Sequence, residues 1–180
     1  AIVPQPNWRD DLRDFKKLGR PRLFFGISAG CMDSMVNKYT ANKRLRSEDA
    51  YTPDGRPDMR PEYPSIVYSQ ILKKIYPDVP VVLGGIEASL RRLSHYDYWQ
   101  DKVQKSILCD SGADLLIYGM GEKPIVELCK RMQSSVEIPT DILQTAYLCN
   151  ATEMESIRAE GDIELYSHEE CLKDKKKTGG

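Results

Sequence analysis

The chain has 180 residues and a mass of 20.5 kDa, 41% of it hydrophobic and 29% charged, so it can bury one sizeable core. That balance excludes disordered, fibrous and disulfide-stapled classes. With 26 basic and 27 acidic side chains the formal charge is −1, and no overall positive field draws the chain to nucleic acid or to an anionic membrane.

In chain order, Ala1–Val3 reads as a short strand. Asn7 then caps a helix that carries Trp8, Leu12 and Phe15 on one face and ends at Gly19. Leu23–Ser28 is continuously apolar at Leu23-Phe24-Phe25, the pattern of a strand buried on both faces. Residues 40–62 are polar, with Pro53, Pro57, Pro61 and an Asp54-Gly55 turn signal, and loops of this length tend to be functional or partner-binding. Pro64 opens a helix whose Val67, Ile71 and Ile75 recur on one face. Val79–Leu83 and Asp114–Tyr118 repeat the buried-strand pattern. Pro124 opens a helix striped by Ile125, Leu128, Cys129 and Met132, and Thr145–Cys149 is the last strand. Ser167 and Glu170 form a capping box before a lysine-rich helix, and Asp174–Gly180 reads as a polar tail or linker. This alternation predicts a three-layer α/β domain over residues 1–173. Its sheet is Rossmann- or flavodoxin-like, mainly parallel, with helices on both faces.

Three strands end in small residues that open a helix. Ser28 runs through Ala29 to Gly30, Leu83 into Gly84-Gly85, and Tyr118 into Gly119-Met120-Gly121-Glu122. In a parallel sheet these turns share the carboxyl edge, where ligands of open α/β folds bind. Glycine allows close backbone approach, and helix amino termini favour anions. The candidate binding residues are therefore Ser28, Gly30, Gly84, Gly85, Glu87, Gly119, Gly121 and Glu122. Glu87 and Glu122 either bond a ligand hydroxyl or complement the dipole of the helix that each one opens. Gly119-Met120-Gly121 starts like a dinucleotide fingerprint, but Pro124 stands where the third glycine belongs, and no phosphate-binding G-x-x-x-x-G-K-[ST] exists. Cys31, Cys109, Cys129, Cys149 and Cys171 never lie within three residues of one another, so neither a catalytic set nor a metal motif is legible. Cys31 falls beside the first glycine turn. His168 lies next to Glu169 and Glu170 and reads as solvated. His95 belongs to the aromatic knot His95–Trp99, read as packing over the sheet or as a lid. The odd number of scattered thiols points to a reducing cytoplasm, and no apolar stretch approaches the ~20 residues of a membrane span. Residues 1–6 carry no pattern of a secretory signal.

Several strings resemble the YgiQ family of radical SAM proteins: residues 21–28 (PRLFFGIS), 32–40 (MDSMVNKYT), 50–53 (AYTP), 80–93 (PVVLGGIEASLRRL), 95–99 (HYDYW) and 118–124 (YGMGEKP). The resemblance spans nearly the whole chain. It implies the amino-terminal, cobalamin-binding-like domain of a longer enzyme whose downstream radical SAM domain holds a 4Fe-4S cluster through C-x-x-x-C-x-x-C and cleaves S-adenosylmethionine. That motif is absent here, so the domain alone is expected to be inactive and to bind no cluster. The D-x-H-x-x-G of cobalamin-ligating domains is also absent from the surroundings of His95 and His168, and cobalamin is not expected.

On this reading the domain positions substrate or cofactor beside the downstream barrel. The alternatives are a free-standing small-ligand or nucleotide-binding module, or a non-catalytic interaction domain that docks a partner through residues 40–62 and His95–Trp99. The resemblance further places Ala1–Val3 as a second strand, which leaves Leu23–Ser28 with an open edge. The chain is expected either to self-associate there or to leave its first residues displaced.

Overall fold

The computed structural model describes residues 1–179. Along the chain run α1 (Arg13–Lys16), β1 (Phe25–Ser28), α2 (Ser34–Lys38), α3 (Pro64–Ile75), β2 (Val81–Gly84), α4 (Gly85–Leu90) and β3 (His95–Asp97). There follow β4 (Lys102–Gln104), α5 (Ile107–Ser111), β5 (Leu115–Ile117), α6 (Glu122–Met132), β6 (Thr145–Ala146), α7 (Ala151–Ile157) and α8 (His168–Lys173). The main sheet has the order β1-β2-β5-β6, and β3 and β4 form a separate antiparallel ribbon.

β1 pairs parallel with β2 from Phe25–Val81 to Ser28–Gly84, and β2 pairs parallel with β5 through Val82–Leu115 and Leu83–Leu116. Strand alternation then sorts the apolar side chains onto two faces. Ile27, Val81, Leu83 and Leu116 meet Tyr68 and Leu72 of α3 and Ile107 and Leu108 of α5. Val82, Leu115 and Ile117 meet Leu128 and Met132 of α6 on the other face. The expected α/β sheet with helices on both faces is what forms. Within the main sheet β6 runs antiparallel, pairing Leu116 with Ala146 and Ile117 with Thr145. Residues 133–144 carry the chain back over the second core, where Ile138 and Ile142 pack, so β6 enters from the carboxyl edge.

Three local expectations are corrected. Ala1–Val3 forms no strand: Ile2 is exposed, Pro4 removes a ladder donor, and among the described residues no strand pairs with the outer edge of β1. The helix expected from Asn7 to Gly19 shrinks to Arg13–Lys16. Side chains of Asn7, Asp10 and Asp11 capture the backbone N–H groups of Arg9, Leu12 and Arg13, competing with helix formation. Trp8, Leu12 and Phe15 still pack on the first core. α6 begins at Glu122, so Pro124 lies in its first turn, where an N–H has no helical partner to lose. The capping box of Ser167 and Glu170 forms as expected at the start of α8. Of the tail, Lys175–Gly179 is a short 3-10 helix, and Gly180 lies outside the described residues. No helix among the described residues is long and apolar enough to cross a membrane.

Candidate functional site at the carboxyl edge

The three glycine turns lie side by side. Ser28 Oγ accepts from Gly30 N at 3.2 Å, and a Cβ built on Gly85 would lie 2.5 Å from that same oxygen, so the first and second turns touch. Gly85 has φ +83°, a conformation that favours glycine, and the close approach reinforces the requirement. Ser89 of α4 ties the second turn to the third: its hydroxyl donates to Gly85 O at 2.8 Å and accepts from Gly119 N at 3.1 Å. Gly84 faces Ile117 O with room for a Cβ, 3.8 Å away, and Gly121 caps α6 beside the Ile117 side chain. Glu122 is exposed in the first turn of α6, Ile86 and Leu90 project from α4 into solvent, and Met120 is 75% exposed. The row thus joins backbone, small polar groups and an exposed apolar rim.

Glu87 lies beneath this row. It is fully buried, and its carboxylate accepts from Ser34 N (3.2 Å) and the Ser34 hydroxyl on one oxygen and from Ser65 N (3.1 Å) on the other. Ser34 and Ser65 open α2 and α3, so one carboxylate from α4 satisfies amino-terminal donors of two other helices and complements both dipoles. α3 needs this support because its N-cap residue, Tyr63, supplies no side-chain cap. Asp33 caps α2 through Met35 N and Val36 N and also pairs with Arg91, which is buried at the end of α4. Burial is the largest single effect and opposes the Arg91 charge, but the hydrogen bond and charge of Asp33 together with the charges of Glu87 and Tyr63 outweigh it and raise the guanidinium pKa. The edge is built on a buried polar frame.

Two cations missed at the sequence level border the edge. Arg60 bonds Asp49 at 2.9 Å and Ala29 O at 3.4 Å, folding residues 40–62 down over the first glycine turn. Burial would raise the Asp49 carboxyl, but bonds from Tyr51 N and Arg60 hold it below its ordinary range. Arg92 lies 4.9 Å over the Tyr118 ring and bonds Ser89 O at 2.7 Å. No spacing rule links Arg60 to Ala29 across 31 residues; only Ser89, four residues after Gly85 on the same helix, was findable from sequence. A small pocket of about 10 Å³, lined by Asn37, Asp49 and Arg60 among others, opens beside the edge under residues 40–62.

The histidines lie elsewhere. His95 begins the β3–β4 ribbon with Nδ1 at 3.0 Å from Leu93 O, and burial lowers its pKa. His168 is not the solvated residue expected: its Nδ1 lies 2.6 Å from Ser94 Oγ, tying α8 to the ribbon. Cys31, Cys109 and Cys149 are exposed, Cys129 is half-buried and Cys171 is buried. Among the described residues no three His, Cys, Asp or Glu side chains gather to hold a metal ion, so this donor set does not fit the three-thiolate cluster that the resemblance implies.

An open, mostly parallel α/β sheet with helices on both faces and three glycine turns on its carboxyl edge defines a domain of the Rossmann- or flavodoxin-like class. The chain belongs to the radical SAM N-terminal family, whose model matches residues 1–179, as the YgiQ-like strings indicated. A UPF0313 protein of Bacteroides thetaiotaomicron is 78% identical over 190 aligned residues, covering 98% of this chain and 30% of its own length. UPF0313 proteins of Porphyromonas gingivalis and Thermotoga petrophila are 67% and 48% identical, each over 98% of this chain and over 28% and 30% of their own lengths. The chain therefore spans about 30% of the length of these curated relatives. No solved structure matches it.

Proposed function

We propose that this chain is the accessory domain of a radical SAM iron–sulfur enzyme, and that its glycine-turn edge positions substrate or cofactor beside a downstream barrel. The observation that carries the reading is the row in which Ser28 meets Gly85 and Ser89 joins Gly85 to Gly119. Gly30, Gly84, Gly121 and Glu122 complete its floor, and Glu87 holds that floor in place from below. The 4Fe-4S cluster and S-adenosylmethionine are assigned to the remainder of the polypeptide, where the cluster supplies the electron for reductive cleavage. This chain's part is to orient the reacting partner and exclude water.

The test uses the full-length protein, reconstituted and reduced, with 5′-deoxyadenosine release counted in the presence of cell extract as substrate source. Gly84→Val adds bulk at the edge where φ is −155° and a Cβ meets nothing closer than 3.8 Å, so the backbone accepts a side chain there. Turnover falling several-fold at nearly unchanged melting temperature is the expected result. Unchanged turnover refutes the positioning role.

A further inference from the structure

Apart from the glycine edge, two hairpin tips lock onto each other. The first follows α2: Tyr39 bridges Leu45, Thr40 N donates to Arg44 O at 2.8 Å and Arg46 N to Lys38 O at 3.0 Å, which lifts Lys43 and Arg44 to its tip. The second is the tip of the β3–β4 ribbon. There the Asp97 carboxylate accepts from the Tyr63 hydroxyl at 2.5 Å and from Trp99 N and Gln100 N at 2.8 and 3.0 Å. Between the tips, the Trp99 ring lies 5.6 Å from Tyr39 and 5.3 Å from Tyr98. Tyr98 Oη donates to Ala41 O at 2.7 Å, while Lys43 Nζ donates to Trp99 O at 3.2 Å and stands 4.7 Å over the Tyr98 ring. These rings are held in place from both tips, yet Tyr98 remains 50% exposed.

The charge here differs from that of the whole chain. Residues 39–46 and 95–104 carry Lys43, Arg44, Arg46 and Lys102, all exposed, against a buried Asp97 and the exposed Asp101. Glu62 accepts the Tyr39 hydroxyl at the margin and faces Lys38 at 3.7 Å. A lysine over a fixed, half-open aromatic ring, with further exposed cations on the same two hairpins, matches a strand that offers phosphates and unpaired bases together. An acidic protein segment would use the cations and leave the ring idle.

We propose that the two tips form a docking platform for single-stranded nucleic acid, with phosphates on Lys43, Arg44, Arg46 and Lys102 and a base stacked on Tyr98. The experiment measures fluorescence anisotropy of a labelled single-stranded RNA 12-mer titrated with the full-length protein. A polyglutamate peptide of equal length and the RNA duplex of the same sequence serve as competitors. The single strand should outcompete both, and its affinity should fall as salt rises. Tyr98→Ala should weaken RNA binding by about fivefold or more, the loss of one base–aromatic stack. Arg44→Gln, at an exposed tip that the fold does not depend on, should lower the slope of log affinity against log salt by about one. Polyglutamate competing as well as the single strand overturns the proposal in favour of an acidic protein partner. RNA affinity and salt slope unchanged in folded Arg44→Gln overturn it outright, whether or not Tyr98→Ala folds.

Discussion

Replacing Glu87 by glutamine tests the frame under the glycine edge. Glutamine keeps the shape and one acceptor oxygen, but its amide nitrogen must then face either Ser34 N or Ser65 N, donor against donor. The variant loses a charge-assisted bond, about 1.5–3 kcal/mol, and leaves a buried donor unpaired, about 1–3 kcal/mol. Because the two terms overlap in part, we expect a loss of about 3–5 kcal/mol, a large fraction of the roughly 5–15 kcal/mol that holds a domain together. At about 2–4 °C per kcal/mol for this size, melting should fall by about 6–20 °C. Urea unfolding followed by far-UV circular dichroism measures it. Ser65→Ala is the control: its hydroxyl is buried without a partner, so its removal should be neutral or stabilising by about 1 kcal/mol. A Glu87→Gln loss below about 1 kcal/mol would show that the carboxylate does not hold α2 and α3 together.

Gly84→Ala and Gly85→Ala should behave oppositely. The first meets only ordinary contact and stays within about 1 kcal/mol of the parent, whereas the second combines φ +83° with a 2.5 Å approach to Ser28 Oγ and loses about 2 kcal/mol or more. Adding Ser28→Gly should recover the part of the Gly85→Ala loss due to the clash and leave the backbone part; no recovery would refute the contact. Burial lifts the Tyr68 hydroxyl from its ordinary 10 to about 12, and it has no hydrogen-bond partner. The folded state keeps this proton longer than the unfolded chain, so its contribution is complete below pH 10 and disappears as pH rises towards 12. Tyr68→Phe should therefore be neutral or stabilising by about 1 kcal/mol at pH 7 and should blunt the alkaline loss, as read from melting temperatures at pH 7 and pH 11. Anaerobic iron–sulfide reconstitution of the 180-residue chain should leave it colourless; a stoichiometric cluster absorbance would overturn the assignment of the cluster to the rest of the polypeptide.

Legibility in the sequence followed length and locality. β1, β2 and β5 are apolar runs, and α3 and α6 are long enough to show a repeating face, so each was readable within about two residues. α2, α5 and α7 have at most seven residues and are announced only by caps: Asp33, Ser106 with Gly112, and Asn150 with Glu153. The Asn150–Glu153 box has the same form as the Ser167–Glu170 box that was read. The ribbon turns at Asp101 with φ +53°, which no local signal marks. At the edge, the glycines were visible because strand ends are visible. The role of Glu87 was not, since its partners lie 53 and 22 residues away and only the assembled sheet brings them together.

The central claim, that the glycine-turn edge faces the reacting end of a longer radical SAM protein, is tested most directly by hydrogen–deuterium exchange. Peptides from this domain are compared in the full-length protein and in the 180-residue chain. We predict slowed exchange in the full-length protein at the turns around Gly30, Gly85 and Gly119–Glu122, with little change in α6 beyond its first turn. Identical exchange at all three turns, with new protection confined to α6 or α7, would contradict the account.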